Sequence, residues 1–288
     1  MHMLPGDPAG VMLGETATKE QIADLRRELW LDRPFVVQYL HWVDNAIHGD
    51  FGKSSITREY IKDLISRSLP VTFYLASMAL VLSVSLGILA GIYCAVRRGS
   101  VLDSVISVVS NAGLAVPIFW LGILGIYTFG LRLGWLPIQG YVSPTVHLSE
   151  SLQKAVMPVI CLSIHGIAVL ARQTRSSMLE VINKDYIRTA KAKGLKNRVV
   201  VFKHALKNAL IPTVTMLGLQ LRHLVGGSVL VETVFSIPGM GQLIVNSAFN
   251  RDYLVVQAGV LLIAVVVCFA NLLVDISYSW LDPRVRYD

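Results

Sequence analysis

Ionisable side chains inside long apolar runs are the first places in this sequence where chemistry could reside. Arg222 and His223 stand together within the run 209–231, and His165 stands within 155–171. Such groups are costly in lipid and turn toward protein or water. Two roles fit them. They can line a solute path and meet a carboxylate, or they can hydrogen-bond between packed or locally unwound helices, which demands less of them. Glu232 and Asp275 lie near the ends of their runs, a poor position for the mid-membrane acid that an ion-coupled carrier needs. The apolar runs contain no H-E-x-x-H, no G-x-S-x-G and no facing aspartate pair, so no catalytic residue and no metal ligand is assigned. Gly52-Lys53-Ser54 looks like the end of a phosphate-binding loop, but the position that should carry the earlier glycine is Ile47, and no βαβ pattern surrounds it. If ATP drives this protein, another chain binds it. His41 and His48 are too few for a nickel site, and Cys94, Cys161 and Cys268 read as small apolar side chains within the runs.

The elements around these residues follow from composition. The 288 residues are 53% hydrophobic and 16% charged, against about 25% charged in a soluble domain. Charge is nearly absent from 71–96, 104–131, 155–171, 209–231 and 254–280. Each run approaches the roughly 20 residues that cross a bilayer core. The expected fold is an all-α polytopic membrane protein with five spans. A net charge of +7 reflects retention of cations on one side rather than nucleic-acid binding. Ten Lys or Arg crowd between Arg172 and Lys207, with only Glu180 and Asp185 opposing them. Segments 97–103 and 172–208 and the C-terminus are therefore expected in the cytoplasm. Five spans would put 1–70 outside, yet this stretch carries eight Lys or Arg and ten acids and has no apolar leader. The expectation is that a sixth helix precedes it. The division expected is an extracytoplasmic segment 1–70, a transmembrane domain 71–281 and a cytoplasmic tail 282–288.

Local signals refine this outline. Thr18 and Gln21 have capping-box spacing, and Phe35 to Ile47 carries an apolar face. A third amphipathic piece is expected over 57–69, lying along the interface. Gly87 and Gly91 form a small-xxx-small pair for close helix packing. Pro117 is expected to break or kink the second span. Asp185 can cap a short helix ending at Gly194, and Val199, Val200, Val201, Phe202, Ala205 and Leu206 make a second apolar pattern. With its small residues, 185–195 suits the groove of a partner. Equally, a basic amphipathic loop suits an anionic lipid surface.

Several stretches, in order along the chain, resemble one family. These are Pro5-Gly6-Asp7-Pro8, Leu31-Asp32-Arg33-Pro34, Gly49-Asp50-Phe51-Gly52-Lys53-Ser54, Arg97-Arg98-Gly99-Ser100, Pro117-Ile118-Phe119-Trp120-Leu121-Gly122, Val231-Glu232-Thr233-Val234-Phe235, Ile237-Pro238-Gly239-Met240-Gly241 and Leu281-Asp282-Pro283-Arg284. The chain resembles the type I ABC importer permeases, in the dipeptide/oligopeptide branch. The resemblance implies a non-enzymatic subunit of the bacterial or archaeal inner membrane, working by alternating access. Its implied partners are a second permease, two ATP-binding subunits that hold ATP and Mg²⁺, and an extracytoplasmic solute-binding protein. It makes 185–195 the coupling helix, with Asp185, Tyr186, Thr189, Ala190, Ala192 and Gly194 at the ATPase contact. The general family pattern begins Glu-Ala-Ala, whereas this chain has Arg188 and Thr189 before Ala190, which leaves Asp185 as the candidate acid. Solutes carried by such relatives include dipeptides, oligopeptides, glutathione and nickel chelates.

Overall fold

The computed structural model describes Gly10, Leu13 and residues 17–28 and 30–281. Pro5-Gly6-Asp7-Pro8, the tail 282–288 and the side chains of Arg222 and Asp275 lie outside the described residues. The helices of eight residues or more are, in chain order, α1 (Lys19–Glu28), α2 (Phe35–Ile47), α3 (Ile61–Val96), α4 (Val101–Ala115), α5 (Ile118–Gly125), α6 (Leu148–Ile182), α7 (Asp185–Ala192), α8 (Leu206–Val234), α9 (Met240–Phe249) and α10 (Tyr253–Leu281). Wider π-helical turns extend α5 over Ile126–Arg132 and lead into α8 over Val200–Ala205. Among the described residues β-structure is limited to an isolated bridge between Lys53 and Tyr60. Three helices are long and apolar enough to cross a membrane, and five spans result if each of two bent pairs counts as one. That matches the five expected runs.

The chain divides into two compact units, Met1–Thr72 with Pro238–Ala264 and Phe73–Ile237 with Val265–Asp288. In the first, α1 begins with the expected reciprocal cap. The Thr18 amide donates to Gln21 Oε1 at 2.9 Å, and the Gln21 amide donates to Thr18 Oγ1 at 3.3 Å. The amphipathic piece expected over 57–69 becomes helical only from Ile61 and is continuous with the first span. α3 starts at Ile61 and runs unbroken through Pro70. Ile61 and Ile65 bury against Met240, Val255 and Ala258, so the apolar face of this stretch packs on protein. Nearby, the Met240 amide at the start of α9 donates to Thr72 Oγ1 at 2.8 Å.

In the second unit, glycines set how closely helices approach. A Cβ on Gly87 would stand 2.7 Å from Leu170 Cβ, and one on Gly91 only 2.7 Å from the Ala171 carbonyl oxygen. The pair lets α3 lie against the backbone of α6, as its spacing predicts. Gly166 makes the return approach, where a Cβ would meet Ser83 Oγ at 2.6 Å and Gln220 Nε2 at 2.7 Å. Ser83 donates to the Ser163 carbonyl at 3.1 Å, so a polar contact between helices sits beside the glycine seam.

Candidate functional site

The second span breaks at Val116 and Pro117, and its two halves meet at 105°. Proline disfavours a helical residue before it and lacks an amide proton. Val116 is accordingly extended, with φ −82° and ψ 128°, and α5 restarts after Pro117. Beside this break lies a cavity of about 650 Å³ lined by Gly113, Pro117, Ile118, His165, His223 and Gly226, among others. α6 supplies His165 and α8 supplies His223. Their rings stack with centroids 3.8 Å apart and planes inclined by 25°. Two of the three candidate pathway residues are thus brought together. The third, Arg222, precedes His223 on α8, and its side chain lies outside the described residues. The walls are otherwise largely apolar, with Leu219 and Leu230 lining the cavity alongside His223. Such a chamber can orient a solute through its few polar groups while the remainder tolerates varied side chains.

The cytoplasm-expected segment folds into an anchored projection. α7 follows α6 after a two-residue turn, and two residues after its last residue, Ala192, comes Gly194, whose φ of +77° is the left-handed conformation that glycine adopts freely. Lys184, and not Asp185, is the N-cap residue; Asp185 is the first helical residue and lies 3.5 Å from Arg188. Ile187 and Ala190 turn inward, where they pack in a buried cluster with Ile92, Met178, Val200, Val201 and Ala205. Ala190 is therefore part of the anchor and not of the outer face. Asp185, Tyr186, Thr189, Ala192 and Gly194 are exposed, and Asn208 donates to the Tyr186 hydroxyl at 2.9 Å. The second apolar pattern splits. Val200, Val201 and Ala205 are buried, whereas Phe202 is 51% exposed.

Two polar contacts were missed by the reading of the sequence. Asp103 is buried and accepts from Arg175 Nε at 2.8 Å and from Arg175 Nη2 at 2.9 Å, a two-pronged ion pair from α4 to α6. The same carboxylate accepts from the Gly99 amide at 3.0 Å, and Ser100 Oγ accepts from the Asp103 amide at 3.1 Å. The signal was present, since Ser100 and Asp103 have capping-box spacing. In the other unit, Ser54 donates to the buried Asp252 carboxylate, and the Ser55 amide lies 3.4 Å from its other oxygen. No sequence pattern marks a pair separated by 198 positions.

Comparison with known proteins agrees with this architecture. Residues 87–287 match the family described as "Binding-protein-dependent transport system inner membrane component", and residues 1–76 match its N-terminal companion. The chain is 40% identical over 307 residues to the dipeptide transport system permease protein DppB of Alkalihalophilus pseudofirmus, covering 100% of this chain and 92% of that one. It is 42% identical over 287 residues to the glutathione transport system permease protein GsiC of Escherichia coli K12, covering 100% and 91%. Among solved structures, an inward-facing MetNI methionine ABC transporter chain superposes with a TM-score of 0.63 at 19% identity, covering 76% of this chain and 96% of that one. A chain of an amino acid ABC transporter gives 0.53 at 16% identity, covering 75% and 94%. These relatives do not favour the ion-coupled carrier. The chain belongs to the family of inner-membrane components of binding-protein-dependent transport systems and has the transmembrane fold of a type I ABC importer permease.

Proposed function

We propose that this permease forms half of a translocation pathway for di- or oligopeptides or similar small solutes, and that a separate ATPase drives it by docking on α7. The observation that carries the reading is the construction of α7. Two inward residues, Ile187 and Ala190, fix it to the body of the protein, and its outer face presents Asp185, Tyr186, Thr189 and Ala192. A helix built this way transmits a push at its outer face into α3, α6 and α8, because the cluster holding it includes Ile92, Met178 and Ala209. His165 and His223, with Arg222 beside them, are assigned to the pathway at the break of the second span. The peptide class follows from the full-length relatives, which include a dipeptide permease and a glutathione permease. A second permease, two ATP-binding subunits holding ATP and Mg²⁺, and a solute-binding protein complete the assembly. The charge pattern supports an inner-membrane location with 172–208 and the C-terminus in the cytoplasm.

The test is gentle extraction of the native complex through a C-terminal tag, with mass spectrometry of what co-purifies. A second permease and ATP-binding chains are the expected result. A chain that purifies alone in several mild detergents would overturn the reading.

A further inference from the structure

A second feature lies on the same side as α7 and goes beyond the transport reading. The last turns of α3 and the segment 197–202 enclose an open groove of about 400 Å³. Its wall is largely apolar, formed by Leu89, Tyr93, Val96 and Phe202, and two arginines, Arg97 and Arg198, complete it. Among the nine described lining residues there is no acid, and Asn197 is the one further polar residue. Neither arginine has an ion-pair partner among the described residues. The positions are those of a membrane boundary. α3 is apolar to Val96 and then becomes Arg97-Arg98, and Arg198 lies in the basic segment expected in the cytoplasm. Tyr93 and Phe202 remain exposed although large and apolar.

We propose that this groove binds one anionic phospholipid of the inner leaflet, with its phosphate between Arg97 and Arg198 and an acyl chain along Leu89, Tyr93, Val96 and Phe202. Guanidinium groups suit phosphate oxygens because their planar donors engage two at once. The absence of an acid decides the headgroup. A zwitterionic lipid brings an ammonium that two neighbouring cations repel and no lining carboxylate receives. Charge complementarity thus selects phosphatidylglycerol or cardiolipin over phosphatidylcholine. Val201 joins the groove to the cluster that anchors α7, so the bound lipid stiffens the base of the projection.

The test uses the intact complex in mixed micelles containing equal phosphatidylglycerol and phosphatidylcholine, read by native mass spectrometry. Wild type is expected to retain phosphatidylglycerol, and excess inorganic phosphate should leave it in place. The double variant Arg97→Gln/Arg198→Gln is expected to retain about ten- to thirtyfold less, the weakening that follows from losing two cations at an anionic surface. Equal retention of the two lipids by wild type, or undiminished retention by the double variant, would overturn the proposal. So would displacement by inorganic phosphate. A photoreactive phenylalanine at position 202, in an otherwise unaltered chain, gives an answer that does not depend on how the arginine variants fold. Phospholipid adducts support the site, and adducts to polypeptide alone refute it. Co-purification of ATP-binding chains is scored separately, so loss of the transport reading and loss of the lipid site are distinguishable.

Discussion

Gly91 is the residue whose side chain matters most by being absent. Thr174 Cβ would lie 2.5 Å from its Cβ and the Ala171 carbonyl oxygen 2.7 Å away, and a helix backbone cannot yield as a flexible side chain does. Gly91→Val should destabilise the protein by about 1–3 kcal/mol, the usual cost of overpacking, seen as a lower unfolding midpoint of the purified complex. Gly125→Ala, which meets only Met157 Sδ at 3.7 Å, should leave the midpoint unchanged. The Gly87 and Gly91 spacing was legible because small residues four apart share one helix face. The pairing of His165 with His223 was not. Each was visible as a polar residue in an apolar run, but only the crossing of α6 and α8 brings their rings to 3.8 Å. If they line the pathway, His223→Ala should slow peptide transport about tenfold, as expected for the loss of one hydrogen bond to a charged group. The amount of assembled complex should stay the same. Unchanged transport of every peptide tried, in this variant and in Arg222→Ala, would remove these residues from the pathway.

At the scale of elements, α4 and α6 are joined by the Asp103–Arg175 pair close to the base of α7. Arg175 is seven residues before Ile182, the last residue of α6. Removing one partner leaves the other charge unmatched, which a folded protein tolerates poorly. Asp103→Arg and Arg175→Asp are each expected to lower the yield of assembled complex severalfold. The combined exchange restores the charge pairing but not the acceptor for the Gly99 amide, so it should recover part of the yield, and no recovery would show that Asp103 contributes more than its pairing with Arg175. At the end of α7, Gly194→Trp should uncouple ATP hydrolysis from uptake in reconstituted vesicles. Gly194→Asn is the control, because asparagine accepts the left-handed conformation. Equal uptake per ATP in the two variants would count against docking there. Helix ends such as Gly194 and Pro117 were readable from single residues with strong backbone preferences. The packing of the first turns of α3 was not, since Ile61 and Ile65 bury against Met240, Val255 and Ala258, which come from almost the other end of the chain.

For the whole molecule, five apolar runs were enough to give the order of the candidate spans, and one dense block of cations is the basis of the proposed orientation. Hydropathy acts residue by residue and needs no tertiary information. What escaped it was the depth of the helices. α6 covers 35 residues where the apolar run covered 155–171, because helical hydrogen bonding continues past the point where a sequence stops being apolar. The orientation is testable with single cysteines in a chain whose own three are replaced. A membrane-impermeant thiol reagent should label position 142 in intact cells and position 193 only after permeabilisation. The reverse pattern would invert the topology. The π-helical turns at Val200–Ala205 have a further consequence, for how the gene tolerates change. A π turn holds one residue more than an α turn spanning the same rise. Loss of a single codon there can be absorbed by tightening to α geometry, leaving α8, α9 and α10 in phase. The same loss midway along α6 would rotate everything beyond it by about 100° and take the buried seam out of register. Length variation in natural or laboratory-evolved descendants should therefore collect at the two π-helical stretches, Ile126–Arg132 and Val200–Ala205, inside helices where deletions are ordinarily the least forgiven.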